Sequence, residues 1–151
     1  MSLLKGSCQA EIPASLERCW AVVADIEHAP EWQRTLTAVE VVERDPAGRP
    51  LVCDTINDAK LIKVRCRVRV SYEPPGSMRF ELVQSDDLDA MEGGWQLEAL
   101  GPQRTRAIYA LAVDPGPIGI LARPLERAIR PLVMGHQADE LAAAVAAGRG
   151  G

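Results

Sequence analysis

Tyr109 and His136 are the two side chains whose setting in this sequence could place a proton-handling group inside a fold. Tyr109 is in phase with Ala107, Leu111 and Val113, so a strand there aims its phenol at an apolar face. Such a hydroxyl could donate to a bound carbonyl. A core tyrosine whose hydroxyl reaches a backbone carbonyl or water is the commoner case. His136 falls on the apolar face of the last helical stretch, where an imidazole could act as a proton-transfer group. There too a hydrogen-bonded core or rim histidine is the usual arrangement. Arg65, Arg67 and Arg69 alternate with an apolar row and should face solvent; only a one-residue bulge would turn one inward. His28 lies in a turn beside Glu27 and Glu31, and Asp25 suits capping or tethering a short helix. No Ser-His-Asp or Cys-His arrangement stands out.

Metal chemistry has less support. Cys8, Cys19, Cys53 and Cys66 are scattered, and two histidines complete no zinc spacing, so no metal and no cofactor is expected. The cysteines read as small buried hydrophobes in a reducing cytosol. Trp32 and Trp95 suit walls better than catalysts, each burying a flat surface while keeping one donor. The expected contact set for a small ligand is Trp32, Cys66, Val68, Phe80, Leu82, Trp95 and Tyr109. Leu125, Ile129 and Leu132 of the last helix complete it. Aromatic residues make up only 4% of the chain, so aliphatic side chains dominate such a cavity. That wall suits lipid-like, isoprenoid or polycyclic guests, in a volume on the order of a few hundred Å³.

These residues must be held by elements of two periods. From Ile118 to Ala147, Leu121, Leu125, Ala128, Ile129, Leu132 and His136 recur on one face of a long helix. Arg123, Arg127 and Arg130 fall on the other face. Pro124 and Pro131 should kink it or split off a first turn, and Gly116 and Gly119 loosen the approach to it. Upstream, Ser7–Ile12 alternates as a strand, and Ser15 can cap a helix over 16–24. Its apolar face would be Leu16, Cys19, Trp20, Val23 and Ala24. A second short helix should start at Pro30, which suits a first helical position. Strands then follow over 36–44, 51–57, 61–72, 78–85, 93–100 and 105–113. In the 61–72 strand Ile62, Val64, Cys66, Val68, Val70 and Tyr72 share one face. A hairpin about residues 73–77 should set Tyr72 opposite Met78, Val70 opposite Phe80 and Arg69 opposite Glu81.

The expected architecture is α+β: a curved antiparallel sheet of six to seven strands around a long C-terminal helix, with two short helices after the first strand. At 151 residues the chain fits a single domain, with a structured core over 7–147 and a disordered tail at 148–151. A net charge of −4 argues against nucleic-acid binding. No apolar run reaches the roughly 20 residues of a membrane span, and the first residues lack the apolar core of a secretion signal. A cytoplasmic protein is expected, with peripheral membrane contact and oligomeric state left open.

This element order, with Asp25-x-x-x-x-Pro30-x-Trp32 after the first helix, resembles the START and Bet v 1-like helix-grip superfamily (SRPBCC). Gly94-Trp95-Gln-Leu97-Glu98, Gly101, Thr105 to Tyr109 and Val113-Asp114-Pro115 are similar to its polyketide cyclase/dehydrase and coenzyme Q-binding group. The resemblance spans roughly residues 7–147. It implies a cavity between sheet and final helix that binds or carries a small hydrophobic molecule (lipid, isoprenoid/quinone or polyketide-like). A cyclase or dehydratase using a polar residue of the same cavity is the alternative. A protein-interaction module, supported by the outer arginine stripe alone, is a third. Convergence of two or more ionisable side chains in the cavity separates enzyme from carrier.

Overall fold

Alternation of apolar and charged side chains builds the sheet. The computed structural model describes residues 4–58, 63–115 and 135–149. Seven strands run β1 (Leu4–Ile12), β2 (Leu36–Arg44), β3 (Pro50–Asp58), β4 (Lys63–Glu73), β5 (Ser77–Gln84), β6 (Ala90–Gly101) and β7 (Arg104–Asp114). They form one antiparallel sheet in the order β1-β7-β6-β5-β4-β3-β2. Along β4, Val64, Cys66, Val68 and Val70 are buried, while Lys63, Arg65, Arg69 and Ser71 are exposed. The hairpin register is the expected one, with Tyr72 opposite Met78, Val70 opposite Phe80 and Arg69 opposite Glu81. Burying one face fixes this register, since a one-residue slip would put every arginine inside.

Two adjacent glycines let β5, β6 and β7 approach closely. A Cβ on Gly93 would lie 2.5 Å from the Ala110 carbonyl oxygen and 3.1 Å from the Phe80 ring. One on Gly94 would lie 2.2 Å from the Met78 carbonyl oxygen. Glycine is therefore the residue that fits there.

Between β1 and β2 lies α1 (Leu16–Val23), where the Ser15 side chain accepts from the Arg18 N–H at 3.2 Å. Its buried residues are Cys19, Val22 and Val23; Trp20 is half-buried. The second short helix is a 3-10 turn over Ile26–Glu31 that contains Pro30 near its end rather than at its start. Ile26 and Ala29 are its buried residues. Asp25 occupies its cap position without capping it. Its carboxylate instead binds Nδ1 of exposed His28 at 2.8 Å, a tether within the turn.

The last described helix is α2 (Gln137–Ala146). The expected helical residues from 118 to 134, with Leu121, Leu125, Ala128, Ile129, Leu132, the two prolines and the arginine stripe, lie outside the described residues, as do Gly116 and Gly119. Ala138, Leu141, Ala144 and Val145 of α2 join one hydrophobic core with α1 and the inner faces of β4 to β7. Gly148 and Arg149, which composition assigns to the tail, close this helix. Gly148 has φ 83°, its N–H reaches the Val145 carbonyl at 3.0 Å, and the Arg149 N–H reaches the Ala144 carbonyl at 3.2 Å. That pair of bonds is the Schellman arrangement, which satisfies carbonyls a helix end leaves open. No described helix is long and apolar enough to cross a membrane.

Candidate functional site

The inner face of the sheet meets the 3-10 turn around a cavity of about 80 Å³. Its aromatic wall comes from separate elements. Trp32 follows the 3-10 turn, Phe80 sits on β5, Trp95 on β6 and Tyr109 on β7. Trp32 and Trp95 have ring centroids 6.1 Å apart, Trp95 and Tyr109 4.8 Å, and Tyr109 and Phe80 6.3 Å. All are tilted pairs, the geometry that the aromatic quadrupole favours. Val68, Met78, Leu111 and Val113 add aliphatic surface from β4, β5 and β7. Phe80, Trp95 and Tyr109 share the inner face by phase along their strands, whereas Trp32 is brought to it by the 3-10 turn.

Other expected members are elsewhere. Cys66 is buried in the core beside Ser85 and does not line the cavity, although its neighbours on the same strand face, Val64 and Val68, do. Leu82 also stays outside the wall. It lies next to a register shift opposite Arg67 and Val68, and is half-buried at the margin of the core. Leu125, Ile129 and Leu132 lie outside the described residues. His136 departs from expectation: it precedes α2, its side chain is 87% exposed, and it lies 3.9 Å from Asp139. Gln137 takes the buried place against the cavity instead.

The arginines remain outside. Arg67 makes two bonds to the Asp54 carboxylate at 2.7 and 3.0 Å on the outer face, while Arg65 and Arg69 are exposed. The register shift beside Arg67 turns none of them inward.

The polar part of the wall was not legible as a pattern. Gln33 and Thr35 follow Trp32 in a loop without periodicity, and Thr55 and Asn57 lie on β3. The Thr55 hydroxyl donates to the Cys66 carbonyl at 3.3 Å, and the Gln137 Oε1 accepts from the Cys8 thiol at 3.7 Å. The alternation of Cys53 with Thr55, both buried on β3, was the available signal for Thr55.

Tyr109 is the sole ionisable side chain among the described lining residues. Burial raises its pKa above the ordinary phenol value, with Cys8 nearby acting in the same direction. It is a neutral hydrogen-bonding group at physiological pH. Burial likewise pushes the Cys53 and Cys66 thiols up to about 11 and raises Cys19, so these are poor nucleophiles. No group of three or more metal-ligating side chains occurs among the described residues.

Residues 12–134 match the family model described as polyketide cyclase/dehydrase and lipid transport, which spans most of the chain. The protein belongs to that family. Solved structures share the fold of this SRPBCC-type member. A START superfamily protein from Mycobacterium smegmatis is 24% identical with a TM-score of 0.67, over 85% of this chain and 96% of that one. A Thermus thermophilus protein is 23% identical with a TM-score of 0.80, over 97% and 99%. The Zhui aromatase/cyclase from Streptomyces sp. R1128 is 14% identical with a TM-score of 0.77, over 96% and 94%. Comparison with curated protein sequences gives no match.

Proposed function

We propose that this family member binds and carries a small hydrophobic molecule in the cavity between its sheet and its helices, without transforming it. The observation that carries this is the wall itself. Four aromatic rings and aliphatic side chains form most of it, and among the described lining residues only the neutral Tyr109 is ionisable. Acid–base catalysis requires a group whose pKa lies near the working pH. A phenol raised by burial is far from that condition, whereas it can still donate a hydrogen bond to a guest carbonyl. Lipid-like, isoprenoid, quinone and polyketide-like molecules all offer the apolar surface this wall would cover.

At about 80 Å³ the cavity is smaller than the few hundred Å³ expected, and smaller than sites that enclose a drug-sized ligand. A guest therefore widens the cavity or extends out of it.

Native mass spectrometry of freshly purified protein, with titration of 2-naphthol followed by energy transfer from tryptophan, tests this proposal. A retained apolar guest, or saturable transfer from Trp32 and Trp95, is the expected result. Absence of both would sink it. Turnover of a poly-keto substrate that is lost in Tyr109→Phe would instead favour a cyclase.

A further inference from the structure

A second concavity adjoins the inner cavity. It is a surface groove of about 650 Å³ between residues 30–37 and α2. Trp32, Gln33 and Leu36 line both spaces, so one thin partition separates them. The floor of the groove is apolar, made by Ala143, Ala144 and Ala147 of α2. Its rim is charged. The Arg34 N–H donates to the Glu140 carboxylate at 2.8 Å, and the Arg149 guanidinium meets Glu31 at 3.2 Å. The Arg34 side chain is exposed and makes no ion pair among the described residues.

Resting on the reading of the inner cavity given above, we propose that this groove is the outer half of the guest site. It takes the distal chain and anionic end of an elongated amphiphile whose apolar end occupies the cavity. Three observations converge on this occupant. The inner space alone is too small for a lipid-like guest, and the adjoining groove supplies the missing volume. The three alanines of α2 offer an apolar floor of small side chains. Arg34 supplies a cation at the rim, while both neighbouring carboxylates already have partners, Glu140 the Arg34 N–H and Glu31 the Arg149 guanidinium. An anion at Arg34 therefore gains a charge-assisted hydrogen bond without displacing an ion pair. The half-buried indole of Trp32 is the divider that such a guest must displace.

The test compares octanoate, dodecanoate, dodecan-1-ol and 2-naphthol by isothermal titration calorimetry on the full chain and two variants, Ala143→Trp and Arg34→Glu. Both sites are exposed, so the substitutions leave the core intact. Affinity should rise roughly fourfold per methylene from octanoate to dodecanoate. Arg34→Glu should weaken dodecanoate at least tenfold and dodecan-1-ol less than twofold. Ala143→Trp should weaken both twelve-carbon ligands at least tenfold and leave 2-naphthol within twofold. If 2-naphthol binds but dodecanoate affinity is the same in all three proteins, the groove proposal is overturned while the inner cavity stands. If no ligand binds the unaltered chain, the inner-cavity reading falls and the groove with it.

Discussion

Trp95 and Tyr109 are cross-strand partners on β6 and β7, and their rings meet at 4.8 Å with planes tilted by 53°. The pair joins two contacts into one wall, because Trp95 also reaches Trp32 and Tyr109 also reaches Phe80. Sheet register thus places aromatic surface that is far apart in sequence on one side of a cavity. Tilted pairs of this kind contribute about 0.5–1.5 kcal/mol beyond the area they bury.

The two partners should respond differently to truncation. Trp95 is 1% exposed, so Trp95→Ala should destabilise the fold by about 3–5 kcal/mol. Tyr109→Phe keeps the ring, and its hydroxyl holds no bond to another described residue. That change should cost less than about 1 kcal/mol. Urea denaturation of both variants checks this, and a large loss in Tyr109→Phe would give the hydroxyl a structural duty.

Gly94→Ala should be among the most damaging small changes in the chain. Its Cβ would sit 2.2 Å from the Met78 carbonyl oxygen and 2.8 Å from the Arg79 Cα, and backbone cannot move aside as a side chain can. The expected cost is about 3 kcal/mol, at the upper end for overpacking. Gly101→Ala, with nothing within 4 Å of its added carbon, should stay within about 0.5 kcal/mol. Thermal melts of the two variants separate close approach from a general need for glycine in β6.

Where burial on one face acts alone, the sequence was legible. The β4–β5 register follows from matching Val70 with Phe80 and Arg69 with Glu81, since any slip buries charge. The inward placing of Phe80, Trp95 and Tyr109 follows from the same phase rule. Legibility failed where a local choice overrides periodicity. His136 sits in phase with an apolar stripe, yet α2 begins one residue later and leaves it in water. Cys66 has the right phase for the cavity but packs beside Ser85. Pro30 suits a helix start, yet it ends a 3-10 turn whose buried anchors are Ile26 and Ala29. Gly148 looks like tail composition, and its positive φ is what allows the helix to close. The groove beside Ala143 has no signature of its own, because it arises where a loop and a helix distant in sequence come together.

Thr105 should prove a structural anchor. It is 0% exposed, and its hydroxyl donates to the Ala14 carbonyl at 2.9 Å, tying the start of α1 to β7. Thr105→Val keeps the shape and removes the donor, leaving a buried carbonyl without that partner. The expected loss is about 1–3 kcal/mol. Thr105→Ser, which keeps the donor, should recover the hydrogen-bond part of that loss. A Ser variant less stable than the Val variant, measured by denaturation, would assign the effect to packing of the methyl instead.

The His28–Asp25 pair gives the 3-10 turn a pH dependence of definite sign. The Asp25 carboxylate, by hydrogen bond and then by charge, raises the His28 pKa above its ordinary 6.5. The protonated ring therefore favours the folded turn. Its contribution is complete below pH 6.5 and disappears as pH rises through the raised value. Both side chains are well exposed, 63% and 49%, so solvent screening keeps the effect small. An NMR titration should place His28 above 6.5 in the unaltered chain and return it toward 6.5 in Asp25→Asn. The Tm difference between the two proteins should be larger at about pH 6 than at about pH 9, and a difference independent of pH would leave the tether without an ionic component.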